Sequence, residues 1–541
     1  MQILSNNKST VSSIYKLTLI LLIGVFCAPA SAFDSNFFIF FPGNLVVSRS
    51  VYDNNPGNVQ VGQVLPPNCT SGCTMATNDG TYPEVWNNDA VDGSFGITSK
   101  IYLDQVSPNG FLINSLEVPN SSQGNIGSTS DQLVTSFSSK SELALNLSPD
   151  RKYLTFMGYV SPIDALDVSN SNTPGAFDPT NPVGESVYRA VAKVNQRGVF
   201  QFTATNAYSG NNGRAAIYND RADLFYTAGN AGNGSNPQPD DIILGAGAQV
   251  MSPATLPLVS QNPETPTPVG SFSITQLGFK PDKLGKDDNF RGLTIFNNVV
   301  YFTKGSGGNG VNTVYFIDTT GSACPKGVGL PSSTATLPTS PIAYDLATLQ
   351  TTGLPSNMCV LSGFPATPNS KAKTVAYPFG LWFANATTLY VADEGDGVLA
   401  DAAGQTTAGL QKWIFNSSSK SWNLAYTISA GLGLGVPYTV PGYPTGDNPA
   451  TQLPWAPETD GLRNITGVVR GNHTATIYGI TSTVSGNGDQ GADPNRLVTI
   501  TDNLDAVALP SRESFKTVRA AGFGEVLRGV SWTPDGGFGG F

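Results

Sequence analysis

Few side chains in this sequence could carry catalysis, and that scarcity narrows the chemistry. A single histidine occurs, His473, in the string RGNHTAT between two expected strands. A Ser-His-Asp triad would have to use it, yet no G-x-S-x-G elbow accompanies it. Metal sites built on two or three histidines are excluded within one chain. Haem attachment through Cys-x-x-Cys-His is absent. The GAGA string at Gly245 to Ala248 lacks the third glycine of a dinucleotide fingerprint, and no phosphate-binding Gly-Lys-Ser/Thr loop occurs. His473 reads as a solvated turn residue.

Two constellations remain. The first is acidic: Asp393, Glu394 and Asp396 in ADEGDG. Closely spaced carboxylates in a glycine-permissive loop suit a hard cation such as Ca²⁺, and an ordinary acidic hairpin loop would read the same way. The second is positional. Arg214, Arg291, Arg463 and Arg528 each stand at the head of an apolar strand, in GRAAIY, FRGLTI, LRNITG and LRGVSW. Guanidinium forks suit carboxylate or phosphate oxygens. A positive rim on an acidic protein would draw in an anionic ligand. Alternatively, each arginine pairs with a carboxylate or carbonyl and holds neighbouring units in register. The two constellations could then be partners of each other.

The elements that must position these groups are short strands. Tyr377 to Ala430 is the clearest unit, with strands at Gly380 to Phe383, Leu389 to Asp393, Gln411 to Phe415 and Trp422 to Ser429. Four short strands separated by turns make one blade of a β-propeller. Similar units begin at Ser141, Gly213, Phe290 and Leu462. Long Pro, Gly, Asn and Ser-rich insertions are expected at 161–185, 230–268, 320–374 and 431–457. Near the C-terminus, TPDG (Thr533 to Gly536) matches SPDR (Ser148 to Arg151), but no strand follows it. The missing partner is PGNLVVSRS, from Pro42. The C-terminal strand is therefore expected to join the N-terminal strands in one blade and seal the ring. The fold class is all-β, a single propeller over 33–541 with six blades, or seven if an insertion holds another. In such a ring the first strands line the central channel, which would place the four arginines at one mouth.

LYVADEGDG (Leu389 to Gly397) and LNLSPDRKYLTF (Leu145 to Phe156) resemble repeats of six-bladed propellers of the NHL-repeat and gluconolactonase-like kind. The resemblance spans most of the chain as repeat grammar and only these strings as motif. It implies a propeller shared by binding modules, lactonases and structural proteins. In the gluconolactonase-like family a metal at the channel mouth activates the reaction. Only one blade matches here, so no ligand set carries over.

Bulk composition agrees with a β-rich exported protein. The chain has 541 residues, 13% charged, with 59 Gly and 38 Pro. Its formal net charge of −10 argues against a nucleic-acid partner. Lys8 and Lys16, the apolar run Leu17 to Ala28 and Ala30-Ser31-Ala32 read as a signal peptide over 1–32. That run is too short for a membrane span. Cys69, Cys73, Cys324 and Cys359 remain after cleavage and allow three pairings, of which Cys69–Cys73 with Cys324–Cys359 is preferred because each pair shares a loop. Zinc at Cys69-x3-Cys73 lacks a partner cluster. Eight Asn-x-Ser/Thr sequons begin at Asn68, Asn120, Asn146, Asn233, Asn385, Asn416, Asn464 and Asn472. The favoured function is a secreted, monomeric module that engages an anionic small molecule or a protein partner at its channel mouth, without a cofactor. A metal-assisted lactonase or esterase using Ca²⁺, or a cell-surface interaction protein, are the alternatives.

Overall fold

Apolar runs bounded by turn residues form short antiparallel strands, and these assemble into six sheets of four or more strands. A computed structural model describes residues 38–88, 95–123, 132–235, 238–253, 270–272, 289–305, 311–339, 358–367 and 374–536. The expected leader at 1–32 lies outside these residues, as do parts of the insertions at 230–268 and 320–374. Phe40–Phe541 form one unit.

Blade 2 pairs Asn146–Leu147, Tyr153–Tyr159, Arg189–Asn195 and Phe200–Thr205, from inside outwards. Blade 3 comprises Gly213–Asn219, Leu224–Gly229, Gly247–Met251 and Gly270–Phe272. Blade 4 comprises Phe290–Phe296, Val299–Lys304, Thr313–Ile317 and Met358–Leu361, with Val328–Gly329 added in parallel at the edge. Blade 5 comprises Pro378–Asn385, Thr388–Asp393, Gly409–Asn416 and Ser421–Ile428, and blade 6 Glu458–Arg470, Thr474–Val484, Arg496–Asn503 and Lys516–Ala520. Inner strands touch neighbouring blades on both faces. Gly213–Asn219 is accordingly buried throughout, whereas the outer strand Leu112–Glu117 of blade 1 has no buried residue.

Blade 1 closes the ring as expected. Its inner strand is the C-terminal Glu525–Trp532, which pairs antiparallel with Leu45–Val51 from Leu45↔Trp532 to Val51↔Glu525. Thr98–Val106 and Leu112–Glu117 complete it. The six inner strands contact one another in cyclic order. The two matching turns grip each other across the seam. Arg151 Nε donates to Asp535 Oδ2 at 2.7 Å, and Asp535 N donates to Arg151 O at 3.0 Å.

The insertions are more structured than loops. Segment 161–185 buries Val168, Ser171, Asn172, Thr173 and Asp178. Segment 230–268 carries a short helix, Asp240–Leu244, with Ile242 and Ile243 buried, and then the third strand of blade 3. Segment 320–374 supplies the fourth strand of blade 4, and 431–457 buries Leu432, Val440, Tyr443 and Trp455. Both expected disulfides form, Cys69–Cys73 and Cys324–Cys359, each with Cα atoms 5.8 Å apart. No helix among the described residues is long and apolar enough to cross a membrane.

Candidate functional site: the arginine end of the channel

The repeated position converges. Arg214 and Arg291 are the second residues of the inner strands of blades 3 and 4, Arg528 is the fourth in blade 1 and Arg463 the sixth in blade 6, and all four are buried. Blade 5 has Pro378 at the head of its inner strand, and its place is taken by Glu394, reaching in just after Thr388–Asp393. Glu394 lies 3.3 Å from Arg463 Nε, 3.9 Å from Arg291 Nη2 and 3.8 Å from Lys140 Nζ. Burial alone would raise its pKa. Lys140, Arg291 and Arg463 more than offset that, and the carboxylate is held below its usual range. The two constellations read from the sequence are thus partners through this one side chain.

Arg214 and Arg528 are placed differently. Arg214 Nε donates to Asn212 Oδ1 at 2.7 Å and its Nη1 to Phe290 O at 3.0 Å. Arg528 Nε donates to Ser50 Oγ at 3.3 Å and its Nη2 to Phe137 O. Among the described residues, neither has a carboxylate within 4.0 Å, and Arg528 Nη1 has no hydrogen-bond partner. Burial pushes both pKa values down, Arg528 to about 9, and the neighbouring Arg291 and Arg463 push the same way.

The acidic loop does not gather its carboxylates. Asp393 accepts from Gly395 N at 3.0 Å and Gln411 Nε2 at 3.0 Å, and burial lifts its pKa to about 7. Asp396 accepts from Val398 N at 2.9 Å and Gln405 Nε2 at 2.6 Å. Among the described residues, the one trio of metal-binding side chains with ligand atoms within 4.8 Å of one another is Asp318, Cys324 and Cys359, and both cysteines are in the disulfide. His473 is exposed, 3.2 Å from Asp505. Of the sequons, Asn120 and Asn464 are buried.

Residues that no motif announced complete the site. Lys140, Ser141 and Glu142 precede the inner strand of blade 2. Ser141 Oγ accepts from Arg291, and Glu142 accepts from Thr135 Oγ1 at 2.6 Å, Ser136 N at 3.0 Å and the Tyr159 hydroxyl. Burial raises the pKa of Glu142. Loops pack an aromatic cluster beside this end: Tyr82 meets Phe137 edge-on at 5.7 Å and Tyr443 at 5.8 Å, and Trp86 stacks on Phe137 at 5.6 Å. The later residues of all six inner strands, among them Ile217, Thr294, Leu381, Thr466 and Trp532, line a separate cavity of about 340 Å³.

No family model matches this chain, and no curated protein matches it in sequence. Among solved structures it is similar to the periplasmic gluconolactonase of Pseudomonas aeruginosa, at 10% identity and a TM-score of 0.36, over 91% of this chain and 98% of that one. It is also similar to a protein from Lactobacillus plantarum, at 10% identity and a TM-score of 0.32, over 79% and 81% of the two chains. An ulvan lyase of polysaccharide lyase family PL25 follows, at 10% identity and 0.29, over 82% and 95%. The propeller itself rests on the six sheets and their cyclic ring of inner strands.

Proposed function

We propose that this protein is a secreted propeller that binds a small anionic ligand at the arginine end of its channel. The observation that carries the reading is Arg528: a guanidinium 2% exposed that, among the described residues, has Nη1 unpartnered and no carboxylate within 4.0 Å. A buried charge without a counter-charge costs several kcal/mol, roughly what an anionic ligand would recover. The adjoining aromatic cluster keeps water out, which strengthens a charge pair there. That cluster hangs on loops, which open at lower cost than the blades. The metal-assisted hydrolase is less favoured, because Asp393, Glu394 and Asp396 turn to separate partners. Adding Ca²⁺ should leave the melting temperature unchanged.

Thermal-shift and calorimetric titrations with citrate, gluconate and phosphate test the binding. At least one should raise the melting temperature, with affinity falling as salt rises. The Arg214→Gln/Arg528→Gln double variant should lose the response, and Arg528→Lys should keep part of it. No response to any anion in the unaltered protein would overturn the proposal. Secretion is a separate expectation, supported by the two disulfides. Intact-mass analysis of exported protein should find a chain starting at Phe33 with both disulfides formed, and a retained leader would refute it.

A further inference from the structure

The end of the channel away from the arginines concentrates aromatic side chains. The cavity of about 340 Å³ there, lined by all six blades, has two indoles on its wall, Trp382 from blade 5 and Trp532 from blade 1. Gly467 of the intervening blade 6 fixes both. A Cβ at Gly467 would lie 2.7 Å from the Trp382 ring, and Trp532 Nε1 donates to Gly467 O at 2.9 Å. Tyr390 stacks on Trp382 at 5.9 Å, and Tyr478 meets Trp532 edge-on at 5.8 Å. Both indoles still stay partly exposed. A large ring held this way and left open to a cavity is a stacking platform.

A second cavity, of about 500 Å³, lies against the first, between blades 4 and 5. Phe296 and Phe383 border both and stack on each other at 4.5 Å. Beyond them Phe415 and Trp422 continue the aromatic row. Among the described residues that line the two cavities, Arg151 alone is charged, and its Nε is spent on Asp535. That neutrality is local, in a chain of net charge −10. The polar groups at hand are uncharged. The hydroxyls of Thr294, Thr466 and Ser531 line the first cavity, and among the described residues none of them has a hydrogen-bond partner. Asn297 and Asn298 stand exposed at the rim of the second.

From this arrangement we infer that the face opposite the arginines binds a neutral oligosaccharide. One pyranose ring lies on the Trp382–Trp532 platform, and the following rings cross the Phe296–Phe383 pair towards Trp422. A pyranose has an apolar C–H face, whose burial against an indole removes area from water on both partners. Its hydroxyls both donate and accept, as do the uncommitted hydroxyls of the wall. Walls without free charge disfavour an ionic ligand, because nothing there offsets its desolvation. A proline-rich peptide also suits aromatic grooves, but it brings carbonyl acceptors only and leaves the acceptor half of those hydroxyls unused.

Tryptophan fluorescence and calorimetric titrations of the mature protein test this, with glucose, xylose and mannose and with the cello-, malto-, xylo- and manno-tetraoses. At least one tetrasaccharide should bind, at least about tenfold tighter than its monosaccharide, as expected of added ring contacts. Its affinity should be the same at low and high salt, because no charge pair forms. Trp382→Ala should weaken it at least about tenfold. Thr466→Val keeps the shape, removes one hydroxyl and should weaken it about threefold to tenfold. Gly467→Ala retains every ring but displaces Trp382, and should weaken binding as Trp382→Ala does. Asn298→Ala should weaken the tetrasaccharide and leave the monosaccharide unchanged. Equal affinity for mono- and tetrasaccharide, affinity that falls with salt, unaltered binding by Trp382→Ala, or binding of decaproline but of no sugar would each overturn the inference. So would no response to any sugar. Circular dichroism and the melting temperature confirm that each variant is folded, and Trp382→Phe replaces Trp382→Ala if the latter is not. The two cavities share no residue with the arginine end, so these outcomes leave the anion reading to its own test.

Discussion

Buried carboxyls give this protein an unusual relation to acid. Burial lifts Asp393 and Asp460 to about 7 and Asp493 to about 6, against an ordinary aspartate value of 3.8. Between those values the folded chain holds more protons than the unfolded chain, so stability falls as pH rises through the window. Below 3.8 these groups contribute in full. Glu394 works in the opposite sense. Its pKa is lowered from 4.5, so its contribution is present above 4.5 and is lost as pH falls below. Scanning calorimetry from pH 8 downwards should therefore find the melting temperature rising to about pH 5. It should then fall below about pH 4, as Glu394 and the other paired carboxylates protonate. Asp393→Asn should flatten the upper limb. A melting temperature that drops steadily from pH 8 to pH 5 would contradict the assignment of these carboxyls as protonated near neutrality.

At the scale of elements, the strands were legible and the insertions were not. Blade 5 was read to within a few residues, because LYVAD and QKWIF are β-branched and aromatic runs bounded by turns. The inner strand of blade 2 was harder. Its ladder shrinks to Asn146–Leu147, because Leu143 has φ 62° and the Ser148 turn follows at once. Polar composition hid the burial of 161–185, whose polar groups are satisfied internally. Arg189 lies at its centre and donates to Ser169 O at 3.1 Å, Ser171 O at 2.8 Å and Val187 O at 2.7 Å. Such a cage depends on tertiary packing and leaves no periodic trace. The site divides the same way. Four arginines were visible because each stands at the head of an apolar run, in GRAAIY, FRGLTI, LRNITG and LRGVSW. Lys140 and Glu142 were not, because they precede a strand in a unit that breaks the pattern. Glu394 was visible as an acid, but its partner Arg463 is 69 residues away, so its role as an arginine counter-ion became evident only in the ring.

For the molecule as a whole, stability depends on how the ring is sealed. A propeller with an open seam would expose the edge Leu45–Val51 and the flanks of two blades. The seal is Glu525–Trp532, which brings the buried Val526, Leu527 and Val530 together with Arg528. Asp535 then locks the following turn to Arg151. Deleting residues 525–541 should therefore do far more than remove one strand. The truncated chain should lose its sharp melting transition, bind a dye specific for exposed apolar surface, and elute as aggregates on size exclusion. Arg151→Ala tests the lock alone and should cost about 1–2 kcal/mol, the scale of a hydrogen bond to a charged group. Because the seam from Leu45↔Trp532 to Val51↔Glu525 is an antiparallel ladder with one register shift, between Val47 and Arg49, a peptide spanning 525–537 should pair in trans. Added in excess to freshly refolded truncated chain, it should restore the monomer peak and the cooperative melt. A truncated chain that melts as sharply as the intact one would mean that blade 1 closes without its inner strand.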